Sequence, residues 1–303
     1  MGRVKTKVLI SAAGTLASVS YINHLKSKGY YIIGINSEYE TIGKFLCDEY
    51  YESPLVTDKK RFISFIETLN FDVYLPWLDE EHLLFASESN ISFREKILTS
   101  SPESLRISIN KLETFLFAKR NSIRVSEKTN NVPAFVRMNM SRGSKGARKV
   151  TCQNELDNLD KNKYIIQNLL EGQEYTVDCL CDMNGIPKVI VPRKRVNAVN
   201  VSLIGKVCMD NEIINFCKSI LEKIKFFGPI NIQVMKFENK LYLLEINPRL
   251  AGTSILTINA GADILIDGIE LFLGNYDETV EYEVKDGLMM YRFYDELYSL
   301  NNV

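Results

Sequence analysis

Short apolar runs alternate with amphipathic stretches from Lys7 onward. Lys7-Val-Leu-Ile10 reads as a strand, Ser11-Ala-Ala-Gly14 as a turn and the stretch to Lys28 as a helix. Tyr30 to Ile35 follows Gly29 as a second strand, completing a βαβ unit. A helix over Arg61 to Leu69 and an apolar strand over Asp72 to Leu75 continue the alternation, which predicts a parallel sheet and a first domain over residues 1–99.

The pattern then changes. Leu105, Ile109, Leu112 and Leu116 recur at helical spacing behind Pro102, predicting one helix over 102–120 with these four on its buried face. Ser122 to Asn131 is a polar connection. Pro133-Ala-Phe-Val136 and Arg148-Lys-Val-Thr151 read as strands flanking the loop Asn139 to Gly146. Tyr164 to Gln167 and Glu174 to Cys181 alternate as strands, and Met183-Asn-Gly-Ile186 supplies a hairpin turn. A helix over 211–225 precedes strands Ile230 to Phe237 and Lys240 to Ile246. The expected organisation is an α/β chain with α+β character in its C-terminal lobes: a Rossmann-like domain over 1–99, a small lobe over 100–185 and a C-terminal lobe over 186–303.

At 303 residues, 46% hydrophobic and 25% charged, with a net charge of -1, the chain has globular composition and no basic field for nucleic acid. Small-molecule partners are expected, and a homodimer stays open. Six cysteines without a CxxC pair, beside two histidines, suggest neither a zinc cage nor a disulfide framework and predict buried free thiols. No apolar run reaches the roughly 20 residues of a membrane span, and no signal-peptide pattern follows the charged start, so a cytoplasmic protein is expected.

Three segments carry candidate chemistry. Ser141-Arg-Gly-Ser-Lys-Gly146 lies between strands, where glycines let backbone amides approach phosphate and Arg142 and Lys145 supply countercharge; it lacks Walker spacing. Gln167 to Glu174 runs from a strand into a turn, with backbone groups suited to an adenine edge and Glu174 suited to ribose hydroxyls. Taken alone, that segment reads more readily as a plain strand and turn, because acidic residues near turns are common. The third segment is the most specific. If Glu238-Asn-Lys240 is a three-residue loop, Gln233 falls opposite Glu245 and Asn231 opposite Asn247, so that period-2 geometry gathers all four on one face. Such hard-oxygen groups suit magnesium carried by phosphate.

This ordered set resembles the ATP-grasp superfamily, in particular the branch of the carbamoyl phosphate synthase large chain. The resemblance runs over about residues 7 to 273. It is sharpest in Gly228-Pro-Ile-Asn-Ile-Gln233 and Glu245-Ile-Asn-Pro-Arg-Leu-Ala-Gly-Thr253. It implies the ATP-grasp fold, with two lobes gripping ATP, and Mg2+ (or Mn2+) as cofactor. Lys111 and Arg137 would hold phosphates and the loop Arg142, Gly143, Ser144, Lys145, Gly146 would cover them. Gln167 with the backbone of Asn168 and Leu170 would read adenine, and Glu174 would hold ribose. Gln233, Glu245 and Asn247 would ligate magnesium, while Arg249 and one or both of Arg193 and Arg195 would contact the transferring phosphoryl group or the carboxylate.

The implied reaction activates a carboxylate as an acyl phosphate and passes it to an amine, an amino acid being the expected substrate. Bicarbonate activation, as in carbamoyl phosphate synthesis or biotin carboxylation, needs the same apparatus. A nucleotide-binding regulatory protein without turnover is the alternative of another class.

Overall fold

The computed structural model describes residues 5–88, 90–140, 146–199, 201–293 and 295–299, with backbone alone at 197–199, 201 and 202. Its first domain is built on β1 (Lys7–Ile10), β2 (Tyr31–Asn36), β3 (Glu49–Glu52) and β4 (Val73–Leu75), in the order β3-β2-β1-β4 with every pair parallel. The helices α1 (Leu16–Ser27), α2 (Gly43–Leu46), α3 (Lys59–Glu67) and α4 (Asp79–Ser87) connect and flank these strands. The expected βαβ unit is present. β3, whose Glu-Tyr-Tyr-Glu sequence has no apolar alternation, is a strand that the pattern did not predict.

The expected 102–120 helix is two helices, α5 (Pro102–Ile109) and α6 (Lys111–Arg120). Asn110 adopts extended backbone between them, and its side chain accepts from the N–H groups of Leu112 and Glu113. A local cap thus overrides the period. The break rotates the buried face to Phe115, Phe117 and Ala118, leaving Leu116 36% exposed.

Beyond α6, β5 (Ala134–Met138), β6 (Arg148–Val150) and β7 (Tyr164–Asn168) form an antiparallel sheet, β6-β5-β7, with α7 (Gln153–Asp157) beside it. This lobe has its own small core of Ala134, Val136, Val150, Leu156 and Ile166. A second antiparallel sheet runs β12-β11-β8-β9-β10-β13, from β8 (Gln173–Cys181), β9 (Pro187–Val199), β10 (Val201–Val207), β11 (Gly228–Phe237), β12 (Lys240–Asn247) and β13 (Met289–Tyr291). α8 (Asn211–Leu221) covers one face; α9 (Ile255–Asn259) and α10 (Ile264–Leu273) lie towards the other. β8 sits inside the sequence range assigned to the small lobe, but it hydrogen-bonds to β9 and β11. By strand pairing the border between the two sheets falls between β7 and β8.

One core joins Val8, Ile10, Tyr21 and Ile22 of the first domain to Leu180, Val191, Leu265 and Ile269 of the large sheet and its helices. First domain and large sheet therefore share one apolar interior. Three of the six free cysteines, Cys179, Cys181 and Cys217, are buried as expected; Cys152 is exposed. Among the described residues no helix is long and apolar enough to cross a membrane.

The first domain also buries a carboxyl group. Glu81 accepts from Ser11 Oγ at 2.6 Å, Tyr74 Oη, and the N–H groups of Trp77 and Leu78. Burial outweighs these donors and pushes the group up to about 7. A raised carboxyl pKa means that the folded state holds its proton after the unfolded chain has lost it, so stability falls as pH rises from about 4.5 towards 7. The loss expected from this group is on the order of 3 kcal/mol. Glu81→Gln is expected to flatten the dependence of the melting temperature across that interval; a slope equal to that of the unaltered protein would contradict the assignment.

Candidate functional site

A cleft of about 340 Å³ opens between the two antiparallel sheets. β5 and β7 supply Arg137 and Gln167 on one side, and β11 and β12 supply Gln233, Glu245 and Asn247 on the other. The register on the large sheet is Asn231 with Asn247 and Gln233 with Glu245, as the sequence predicts, but for a different reason. The turn has two residues, Glu238 and Asn239, both with left-handed backbone at φ 48° and 55°. Leu244 then bulges out of the ladder between the pairs Gln233–Glu245 and Val234–Leu243. Without that extra residue, strict alternation would place Glu245 on the same face as Leu241 and Leu243, in the core; the bulge turns it to the cleft.

The bulge also frees a carbonyl. Arg137 Nη1 donates to Leu244 O at 3.0 Å and Nη2 to Gln167 Oε1 at 2.7 Å, while its buried Nε has no partner among the described residues. Lys111, on the first turn of α6, lies with Nζ 3.7 Å from Glu245 Oε2. Burial depresses the lysine, and the Glu245 carboxylate opposes that shift. A lysine ammonium thus stands beside the carboxylate expected to meet a metal.

The donor set fits magnesium arriving on phosphate. Glu245, Gln233 and Asn247 offer hard oxygens from one face, yet no group of three or more His, Cys, Asp or Glu suited to a metal occurs among the described residues. One carboxylate and two amides hold a divalent ion weakly unless phosphate completes the set.

The other predicted residues divide. Glu174 lines the cleft and is ion-paired with Arg195, which also lines it. Gly172, just before Glu174, permits close packing, since a Cβ there would stand 2.2 Å from Lys236 O. Gln167 lines the cleft, but its amide is committed: Oε1 to Arg137, and Nε2 to Ser126 O at 2.7 Å. Asn168 also lines the cleft, with its backbone partly engaged. Its N–H donates to Glu127 O at 2.8 Å and its carbonyl accepts from Ser126 Oγ at 2.7 Å, because the 125–128 segment runs beside β7. Leu170 lines the cleft. Gly146 is described with φ 74°, whereas Arg142, Gly143, Ser144 and Lys145 lie outside the described residues.

Arg249 reaches the cleft with its guanidinium held by the first domain: Nε donates to Asp79 Oδ1 at 2.6 Å and Nη2 to Oδ2 at 3.3 Å. The Asp79 carboxyl is held below its usual range; burial acts against this and Arg249 overcomes it. Arg193 does not line the cleft. It is 3% exposed and forms a bidentate pair with the fully buried Asp178, at 2.8 and 2.9 Å. Its Nη1 donates to Thr253 Oγ1 at 2.6 Å, and Asp178 also accepts from Ser254 and Thr257. Arg193 therefore supports the 249–254 segment from beneath. Sequence reasoning missed Asp178 and the pairing of Asp79 with Arg249. A lone acid inside Tyr175-Thr-Val-Asp-Cys-Leu-Cys181 was a readable signal, since a buried charge needs a partner.

Residues 160–293 match the family described as ATP-grasp in the biosynthetic pathway with Ter operon. The carbamoyl phosphate synthase large chain of Clostridium botulinum (strain Eklund 17B / Type B) is 31% identical over 102 residues, covering 31% of this chain and 10% of that protein. The Clostridium perfringens (strain SM101 / Type A) large chain is 28% identical over 109 residues, 33% and 10% respectively. The chain thus spans about a tenth of the length of these relatives. Among solved structures, L-amino acid ligase from Bacillus licheniformis superposes with TM-score 0.73 at 11% identity, covering 93% of this chain and 78% of that one. The biotin carboxylase domain of Hydrogenobacter thermophilus 2-oxoglutarate carboxylase, titled as a dimer with MgADP, ADP and bicarbonate, gives 0.73 at 14%, covering 95% and 74%. N5-carboxyaminoimidazole ribonucleotide synthetase from Thermotoga maritima gives 0.63 at 17%, covering 90% and 76%.

Proposed function

The chain has the ATP-grasp fold and resembles the carbamoyl phosphate synthase large chain, and on that basis we propose that it is an ATP-dependent ligase joining a carboxylate to an amine through an acyl phosphate. One observation carries the reading: the oxygen face of Gln233, Glu245 and Asn247 shares a cleft with Lys111, Arg137 and Arg249. Cations and hard oxygens meeting there suit a magnesium nucleotide; no nucleophilic side chain is needed when the substrate carboxylate attacks the terminal phosphoryl group.

Within this reading the residues divide the work. Lys111 and Arg137 hold phosphate oxygens, Arg137 through donors that Leu244 O and Gln167 keep aimed. Arg249 stabilises negative charge where the carboxylate meets phosphate, steadied by Asp79. Glu245, Gln233 and Asn247 would hold magnesium, which when bound would supply charge neutralisation for the transferring phosphoryl group. Glu174 binds ribose hydroxyls, with Arg195 fixing its orientation. The amine then displaces phosphate, releasing ADP, phosphate and a carbon–nitrogen-bonded product. A panel of amino acids and small carboxylates is expected to contain pairs that stimulate ADP release; a nucleotide-binding protein without turnover would show none.

Glu174→Ala is expected to weaken ATP binding roughly five- to 150-fold, through loss of about 1 to 3 kcal/mol of charge-assisted hydrogen bonding. Calorimetry on the folded variant decides this, and unchanged affinity would remove the nucleotide from this end of the cleft.

A further inference from the structure

We infer that Asn231 is a positioning residue that turns the Asn247 amide so that its oxygen, and not its nitrogen, faces the cleft. The inference rests on the metal-bearing role proposed for Asn247.

A primary amide has two ends of nearly equal shape and opposite polarity, so a ligand-bearing asparagine presents oxygen only if its nitrogen is tied elsewhere. Two contacts tie it, and a third fixes the acceptor of one of them. Asn231 on β11 is 1% exposed, and its side chain meets the backbone carbonyl of Arg249, with Nδ2 2.9 Å from the oxygen. A carbonyl can only accept, so the nitrogen of Asn231 must face Arg249, and Oδ1 must face its cross-strand partner Asn247. That oxygen in turn accepts from Asn247 Nδ2 at 3.2 Å. Asn247 Nδ2 lies also 3.2 Å from Glu245 Oε1, a second group that only accepts when ionised. The two N–H groups of Asn247 serve these two acceptors, and Oδ1 is left on the opposite side.

The chain of constraint thus begins at the Arg249 backbone and ends at the metal-facing oxygen. Glu245 alone does not fix it, because its carboxylate is also drawn towards Lys111 and, in the proposed complex, towards the metal. Asn231 has no such competing role. It is buried, neutral and held by β8 on its other side, where its cross-strand partner is Asp178. Orienting partners of this kind commonly change metal affinity by about 10- to 100-fold when removed.

The test is calorimetric binding of a nonhydrolysable ATP analogue, once with magnesium chloride and once with EDTA. In the unaltered protein magnesium is expected to tighten binding. Asn231→Leu keeps the branched shape but cannot accept a hydrogen bond; it is expected to lose about tenfold or more of the magnesium-dependent tightening while its affinity in EDTA stays unchanged. Asn247→Asp in the same background is expected to restore the tightening, because a carboxylate presents oxygen whichever way it turns. A packing role for Asn231 would instead lower both affinities and would not be rescued. If melting shows that Asn231→Leu is unfolded, Asn231→Ala carries the same expectation. Full magnesium tightening in the single variant, or equal loss in the single and double variants, overturns the inference alone. Absence of tightening in the unaltered protein overturns both it and the proposed metal face.

Discussion

Glu245→Gln is expected to slow acceptor-dependent ADP release by at least about 10²-fold while leaving the fold intact and nucleotide binding measurable. Among the described residues Glu245 and Glu174 are the two carboxylates lining the cleft, and Glu174 is occupied by Arg195. Gln233 and Asn247 are neutral, so nothing on the oxygen face replaces the lost charge. The variant also leaves the buried Lys111 ammonium without the carboxylate 3.7 Å away, which would misplace the cation proposed to bind phosphate as well. The proposed adenine and ribose contacts lie elsewhere in the cleft, around Gln167 to Glu174, so binding and chemistry should separate. Single-turnover ADP formation at saturating ATP and magnesium, alongside a melting curve, reads both; an unaltered rate would dismiss Glu245 as a metal ligand.

Asp178→Ala should be the most destabilising single change in the large sheet, by about 3 to 5 kcal/mol, because it strands a buried guanidinium. Asp178 accepts two bonds from Arg193 and one each from Ser254 and Thr257. All of its partners then lose an acceptor away from water, and Thr253, held by Arg193, loses its anchor at the cleft wall. Replacing both members, Asp178→Leu with Arg193→Met, removes the stranded charge and should cost less than the single change despite removing more polar groups. Denaturant unfolding compares the two. A loss below about 1 kcal/mol in Asp178→Ala would contradict the assignment of Arg193 as a buried support.

How far the chain could be read without coordinates depended on whether an interaction was local. The βαβ opening follows from period and turn residues that neighbours in sequence decide, and it appears where predicted. The 102–120 helix failed because a single asparagine, Asn110, competes for the backbone, which a count of apolar spacings does not register. The pairing of Gln233 with Glu245 was obtained through two compensating errors, a turn one residue too long and an unseen bulge at Leu244. Bulges are fixed by what packs on either face. Here those forces are the apolar core beneath Leu241 and Leu243 and the Arg137 guanidinium above Leu244.

The arginines show the same limit at the site. Arg193 and Arg195 stand two apart on β9 and carry the same chemistry, so sequence assigns them together. Tertiary structure separates them: Arg193 lies opposite Thr176 and meets Asp178 and the 253–257 segment, while Arg195 lies further along, beside Glu174. Likewise nothing in the sequence ties Asp79 to Arg249, 170 residues away, although the contact joins the first domain to the cleft.

Transfer of isotopic oxygen tests the acyl phosphate most directly. Carboxylates labelled with oxygen-18, supplied with ATP, magnesium and a panel of amines, are expected to deliver one labelled oxygen to each inorganic phosphate released, since the oxygen–phosphorus bond formed in activation is kept while the amine breaks the carbon–oxygen bond. Mass spectrometry of the phosphate reads the result. Phosphate carrying oxygen from water alone, or from labelled bicarbonate in place of the carboxylate, would contradict carboxylate activation by this chain.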